Sequence, residues 1–312
     1  MDMDLKRLRY FVTVARLGSF VRAAEHLHIS QPPLSQRIQE LEAEIGTSLL
    51  NRDSRPVALT PAGHVLYGQA VQILQKTEAM VTSMKRLLGE QRPTFTFGVV
   101  PANFHGSLST IIRMYRQALP LITVRMLEMN SLEQVDALRE GRIDAGISRV
   151  EIEAEGIRRL VMRHELMVAA LPSDHPLAMQ DETMRLEQLK DEPFLVYTSP
   201  PRPSLADHVL NELVARDITL SDPREVDQYE MALIMIAAGC GVSIVPASAA
   251  LVATPGVTYR SLVESMTSPI VLCHRDDDQS AEMDALKTVL AQFLSSRGHP
   301  VPVELDRGMP GA

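Results

Sequence analysis

Gln31, Ser35, Gln36, Arg37 and Gln39 bring amide, hydroxyl and guanidinium groups together within one short stretch of chain. Amide side chains can pair with adenine, guanidinium with guanine, and serine with base edges or phosphate, so the set suits the edges of DNA base pairs. Leu34, Ile38, Leu41 and Ile45 recur at i, i+4, i+7 and i+11, which predicts a helix that buries that stripe and leaves the polar residues for other faces. Ser30 is placed to cap it, and Pro32 and Pro33 fit a first turn whose amides have no intrahelical acceptor. The start of such a helix also favours phosphate.

The elements around it follow from the same kind of reading. Leu5, Leu8, Phe11, Val12 and Ala15 predict a first helix behind Asp4 as N-cap, with Gly18 as its stop. Ser19 caps a second, whose Ala23 and Ala24 let another helix come close, and a turn follows at His28 and Ile29. After Gly46, residues 48–50 and 57–59 read as short strands around a tip that carries Arg52 and Arg55, within reach of phosphate or a minor groove. Residues 1–60 thus read as a winged helix-turn-helix.

At 312 residues the chain exceeds what one core usually organises, and two domains are expected. A net charge of −8 opposes nucleic-acid binding overall, but residues 1–92 carry +3 and the remainder −11. No signal-like or membrane-length apolar segment is seen, which predicts a cytoplasmic protein without a membrane partner. Cys240 and Cys273 lack metal-ligand or disulfide spacing and read as small buried hydrophobes, a redox pair being the alternative; no cofactor and no metal are expected. GxSxG, HExxH, GxxxxGK[ST] and a glycine-rich dinucleotide fingerprint are absent, so an enzyme is not expected, and His164, His175 and His208 read as surface or satisfied structural residues.

Residues 61–92 read as one linker helix. Leu66, Ala70, Ile73, Thr77, Met80, Met84 and Leu87 alternate by four and three, the seam of a two-helix coiled coil, with packing on its own domain as the alternative. Residues 93–312 alternate short apolar runs with helical stretches, which predicts two parallel, wound α/β lobes and a ligand cleft outside the strand ends. Strands are expected at 94–100, 123–128, 145–148, 166–171, 194–197, 242–245 and 269–273. Helices are expected at 108–118, 132–140, 205–216, 230–238 and 281–293, with a frayed tail from Gly298.

The segment LRYFVTVARLGSFVRAAEHLHISQPPLSQRIQELEAEIGTSLLNR, with LTPAG at residues 59–63, resembles the LysR-type transcriptional regulators. That resemblance implies that Gln31, Pro32, Ser35 and Gln36 face the major groove of operator DNA and that Arg55 enters from the wing. Relatives often place Arg then Gln after the serine, whereas this chain has Gln36 then Arg37, so either could be the guanine reader. It further implies a homodimer, a homotetramer through the sensing domains, and RNA polymerase as a partner.

GRIDAGISR at 141–149, PSDHPLA at 172–178, DEPFLVY at 191–197, PRPSLADHVL at 201–210 and AAGCGVSIVPAS at 237–248 are similar to the muconate-responsive regulators of benzoate and catechol degradation. By that resemblance the second half has the two-lobed periplasmic-binding-protein-like fold and takes a small carboxylate effector such as cis,cis-muconate. Its contacts would be Ala102 and Asn103 after the first strand, Ser131, Arg149, and Arg202, Pro203 and Ser204 on the opposite wall. Relatives offer hydroxyls where Ala102 has none. Arg149 and Arg202 read equally well as ion-paired residues, and Ser131 as the N-cap of the next helix.

Overall fold

Asp4 accepts a bond from the Arg7 amide at 2.7 Å and opens α1 (Leu5–Leu17), which stops at Gly18 with φ +60°. A Cβ at Gly18 would stand 2.9 Å from that of Pro56, and the Val57 amide donates to the Gly18 carbonyl. One glycine therefore both ends a helix and seats the returning wing. Ser19 caps α2 (Phe20–His26), and α3 (Gln31–Ile45) follows the turn. Ser30 stands at the N-cap of α3 but makes no capping bond, against expectation. The amides such a cap would satisfy belong to Pro32 and Pro33, which have none.

In this computed structural model residues 4–87, 93–180, 183–198 and 202–306 are described, and the chain divides into two units, residues 1–91 and 92–312. The first unit continues with β1 (Leu50–Asn51) paired antiparallel to β2 (Ala58–Leu59), then α4 (Pro61–Leu87). Gly63 lets α4 start against the wing, because a Cβ there would lie 2.0 Å from the Leu49 carbonyl oxygen. Phe11, Val14, Ala23, Leu34, Ile38, Leu41 and Leu49 are wholly buried and form the core.

The predicted seam on α4 divides. Ala70, with Leu66 and Leu74, packs against Leu8 and Val12 of α1, so its first positions serve the chain's own core. Ile73, Met80 and Met84 are exposed. The side chain of Leu87, and residues 88–92 of the expected linker, lie outside the described residues.

The second unit opens with β3 (Thr94–Val99), α5 (Leu108–Ala118), β4 (Thr123–Glu128), α6 (Ser131–Arg139) and β5 (Ala145–Ser148). These strands run parallel in the order β4-β3-β5, the arrangement that helical crossovers produce. The chain then enters β6 (Ile157–Pro172), sixteen residues that leave one lobe and reach the other. The second lobe contains β7 (Pro193–Val196), α7 (Leu205–Val214), β8 (Asp222–Glu225), α8 (Tyr229–Ala237), β9 (Ser243–Pro246) and β10 (Val257–Ser261). The return is β11 (Thr267–Arg275), followed by α9 (Ala281–Ser296) and α10 (Val303–Asp306).

Residues 157–166 of β6 pair with β11, and residues 167–172 pair with β9 and β10. Two cores result, one around Phe97, Tyr115 and Leu290, the other around Ala170, Phe194, Ile236 and Ile244.

Three expectations need correction. The second lobe is mixed, because β9 and β10 run antiparallel to β6. β6 begins nine residues before the predicted Leu166, and β8 and β10 were not foreseen. The segment after Gly298 includes α10, whose Leu305 is 1% exposed and, with Val301, packs against the first-lobe core, which holds the segment down.

Candidate DNA-reading helix and effector cavity

On α3 the buried stripe turns Gln31, Pro32, Gln36 and Arg37 outward, with Ser35 half-buried. All five lie on the first two turns of one helix. Gln36 donates to the Glu40 carboxylate at 3.1 Å and Arg37 donates to its other oxygen at 3.0 Å.

The wing arginines differ from each other. Arg52 donates to Glu42 at 2.6 Å and lies over the Phe20 ring at 5.4 Å, while the same carboxylate accepts from the amides of Leu49 and Leu50. Arg52 therefore fastens the wing to α3 and α2, a role its position at a loop tip did not suggest. Arg55 is exposed at the tip with no ion pair among the described residues.

In the second unit a small pocket, open to solvent at its mouth, lies in the first lobe. Asn103, Ser107, Arg149 and Arg163 supply its polar lining, and Leu290 and Phe293 are among its apolar residues. Asn103 is held in a short turn after β3, where its amide nitrogen donates to the Ile147 carbonyl at 3.2 Å and its carbonyl oxygen has no hydrogen-bond partner among the described residues. Its backbone N–H is committed to Val100.

Arg149 follows β5 directly and is 2% exposed. It pairs with Glu165 of β6, and donates to Ser268 at 2.8 Å and to the Ala102 carbonyl at 3.1 Å, its Nε having no partner among the described residues. The other oxygen of Glu165 accepts from the Ser248 amide of the second lobe at 2.9 Å. One ion pair thus ties both lobes to the strands between them. Burial pulls the Arg149 pKa down, and the charge and hydrogen bond of Glu165 offset only part of this. Arg163, on the same strand, lines the cavity with no ion-pair partner among the described residues.

The other predicted contacts fall elsewhere. Ser131 is the first residue of α6, not its cap; Asn130 caps by accepting from Leu132 and Glu133, while the Glu133 carboxylate accepts from the Asn130 amide. An asparagine one position earlier outcompetes the serine, whose buried hydroxyl instead accepts from Ser148 at 2.7 Å. Arg202 is an exposed ion-paired residue, its Nε donating to Asp207 at 2.7 Å, and its peptide bond to Pro203 is cis. The Ser204 hydroxyl is also bound to Asp207. Ala102, Ser131, Arg202, Pro203 and Ser204 do not line the cavity.

Cys273 is buried and its thiol is pushed up to about 12 by burial, whereas Cys240 is partly exposed rather than buried as expected. Arg163 and Glu165 were missed by sequence reasoning. Their signal, two charged residues two positions apart on either side of His164, also describes an ordinary half-exposed strand.

Residues 5–64 match the model of the bacterial regulatory helix-turn-helix protein, lysR family, and residues 88–295 match the LysR substrate binding domain. The chain belongs to the LysR family of transcriptional regulators. This LysR regulator is 39% identical to a probable cat1 operon transcriptional activator of Acinetobacter lwoffii, over 96% of its own length and 98% of the relative's. It is 38% identical to the transcriptional regulator BenM of Acinetobacter baylyi, over 96% and 99%. The BenM effector binding domain with its effector benzoate superposes with TM-score 0.63 at 33% identity, covering 68% of this regulator and 96% of that chain. Full-length CbnR complexed with its target DNA gives 0.67 at 28%, covering 93% and 99%. These regulators share both the helix-turn-helix and the two-lobed fold, and no helix among the described residues is long and apolar enough to cross a membrane.

Proposed function

We propose that this regulator controls an aromatic-compound degradation operon in response to a small carboxylate, with cis,cis-muconate or a close analogue as the effector. The observation that carries this is Arg163, a cation on the wall of an otherwise largely apolar cavity, beside a buried Arg149 whose Nε donor has no partner among the described residues. An anion entering such a space loses water and needs charged donors in return, while its hydrocarbon part gains from apolar burial. The similarity to BenM, whose effector binding domain takes benzoate, supports the same chemical class.

On the DNA side, Gln31, Pro32, Ser35, Gln36 and Arg37 read the major groove, Arg55 enters from the wing, and the position of Arg52 supports a wing-anchoring role. The exposed Ile73, Met80 and Met84 supply the contact between two copies along α4, and sensing domains pair the dimers into a tetramer that meets RNA polymerase in the cytoplasm. Ile73→Glu places carboxylates in that contact and is expected to reduce the assembly to smaller species in sedimentation; an unchanged assembly would remove the seam.

Calorimetry of the full-length protein with muconate, benzoate and succinate, beside operator footprints with each, tests the effector. Heat and an altered footprint with muconate are expected, with binding weakened about tenfold or more by Arg163→Ala, the loss of a charged hydrogen bond. Binding that survives Arg163→Ala but is lost in Ser131→Ala with Arg202→Ala would move the effector to the interlobe cleft. No heat and no altered footprint with any of the three would end the carboxylate reading.

A further inference from the structure

The three carboxylates in the second half of α3 have different work. Glu44 meets Arg7 of α1 at 2.9 Å, and Glu42 holds the wing through Arg52 and two backbone amides. Both join separate elements. Among the described residues the Glu40 carboxylate bonds to Gln36 and Arg37 alone, side chains on the same exposed face of its own helix. Nothing in the packing of the unit calls for it, and on a DNA-facing surface its charge repels phosphate.

We propose that Glu40 is a positioning residue that sets DNA discrimination by holding Gln36 and Arg37 until matched bases replace it. The inference rests on the reading that those two side chains contact base edges. On unmatched DNA they have only phosphates to gain, and a carboxylate already in bonding distance competes with these; the two readers stay with Glu40 and add nothing to affinity. At a matched site, bidentate bonds to adenine or guanine outweigh an exposed ion pair, and the readers change partner. Glu40 therefore suppresses unmatched binding more than matched binding.

The test compares wild type with Glu40→Gln on two probes, the tightest duplex selected by the wild-type protein from a random-sequence pool and a scrambled duplex of equal composition. On the scrambled duplex the affinity is expected to rise about five- to tenfold, and the salt dependence to steepen by roughly one counterion, as Arg37 is released to phosphate. On the selected duplex the gain is limited to roughly two- to fivefold, the worth of an exposed pair, so the ratio of the two affinities falls. In an Arg37→Ala, Gln36→Ala background the same Glu40→Gln change should move both duplexes equally.

Equal gains on both duplexes in the otherwise wild-type protein would overturn the proposal by reducing Glu40 to a general repulsive charge. A loss on both, with reduced helix content by circular dichroism, would overturn it by making Glu40 a scaffold residue. The underlying reading fails separately: if Arg37→Ala and Gln36→Ala, with Glu40 intact, leave the preference among single-base operator variants unchanged, those residues are not base readers.

Discussion

The DNA-reading unit and the sensing unit each place a glutamate against an arginine, and the two pairs have opposite consequences. Arg37 and Glu40 lie one helical turn apart with side chains 58% and 38% exposed. Arg149, just after β5, and Glu165, on β6, have side chains 1% and 7% exposed. Water screens the first pair, which can exchange its partner for a base edge or a phosphate at little cost. The second is shielded, with Arg149 committed also to Ser268 and the Ala102 carbonyl, and Glu165 to the Ser248 amide. The same two residue types make a replaceable contact in one unit and a fixed joint in the other, and burial decides which.

Removing one member of the buried pair gives the largest expected effect. Glu165→Ala leaves an uncompensated guanidinium in the interior and is expected to cost about 3–5 kcal/mol in urea unfolding followed by circular dichroism. Replacing both members with Arg149→Met and Glu165→Leu should restore most of that loss, since well-packed apolar substitutes are often neutral against a buried pair. If Glu165→Ala unfolds at the wild-type midpoint, the distinction drawn between the pairs is wrong.

Arg202 and Asp207 sharpen the comparison, because they belong to the sensing unit yet sit at its surface, with side chains 49% and 20% exposed. Asp207→Asn should therefore cost far less than Glu165→Ala. Burial tends to raise the Asp207 carboxyl, but hydrogen bonds from Arg202 and Ser204 outweigh it and hold the pKa below the usual carboxylate value. A carboxyl depressed in the folded state lends stability above its unfolded pKa of about 3.9 and loses it as pH falls through the lower folded value. The gap between wild type and Asp207→Asn should thus be constant at neutral pH and close below about pH 4. A gap that widens in acid would contradict the assigned direction.

How far the sequence carried the argument also differed between the units. The boundaries of α5, β4 and β5 came out to the residue, because each is a short apolar pattern with one period and a clear stop. The first unit was equally plain, its stripe on α3 being one unbroken helical face. β6 was half missed, since Arg158, Arg159, Arg163, His164 and Glu165 give its first half the look of a polar connection. β8, with the sequence DPRE, carries no strand signal at all and forms by pairing with β7.

The candidate site divided in the same way. The outward placement of Gln31, Pro32, Gln36 and Arg37 was legible because one unbroken buried stripe on α3 fixes the opposite face. The burial of Arg149 was not, because its partners lie 16, 47 and 119 residues away along the chain and spacing says nothing of them.

The passage between the two lobes is made by two neighbouring stretches of chain, the middle of β6 and the lead-in to β11, joined where the Met167 amide donates to the Met266 carbonyl. Stretches bonded side by side resist being pulled apart or slid, but they can be twisted together about their common axis. Rotation about that axis is the rearrangement these bonds oppose least, and Glu165 lies two residues from Met167. Leverage follows from that placement: the clamp of Arg149, Glu165 and Ser248 lies where displacements are smallest, so a slight change in its geometry swings the far rims of the lobes through the longest arc.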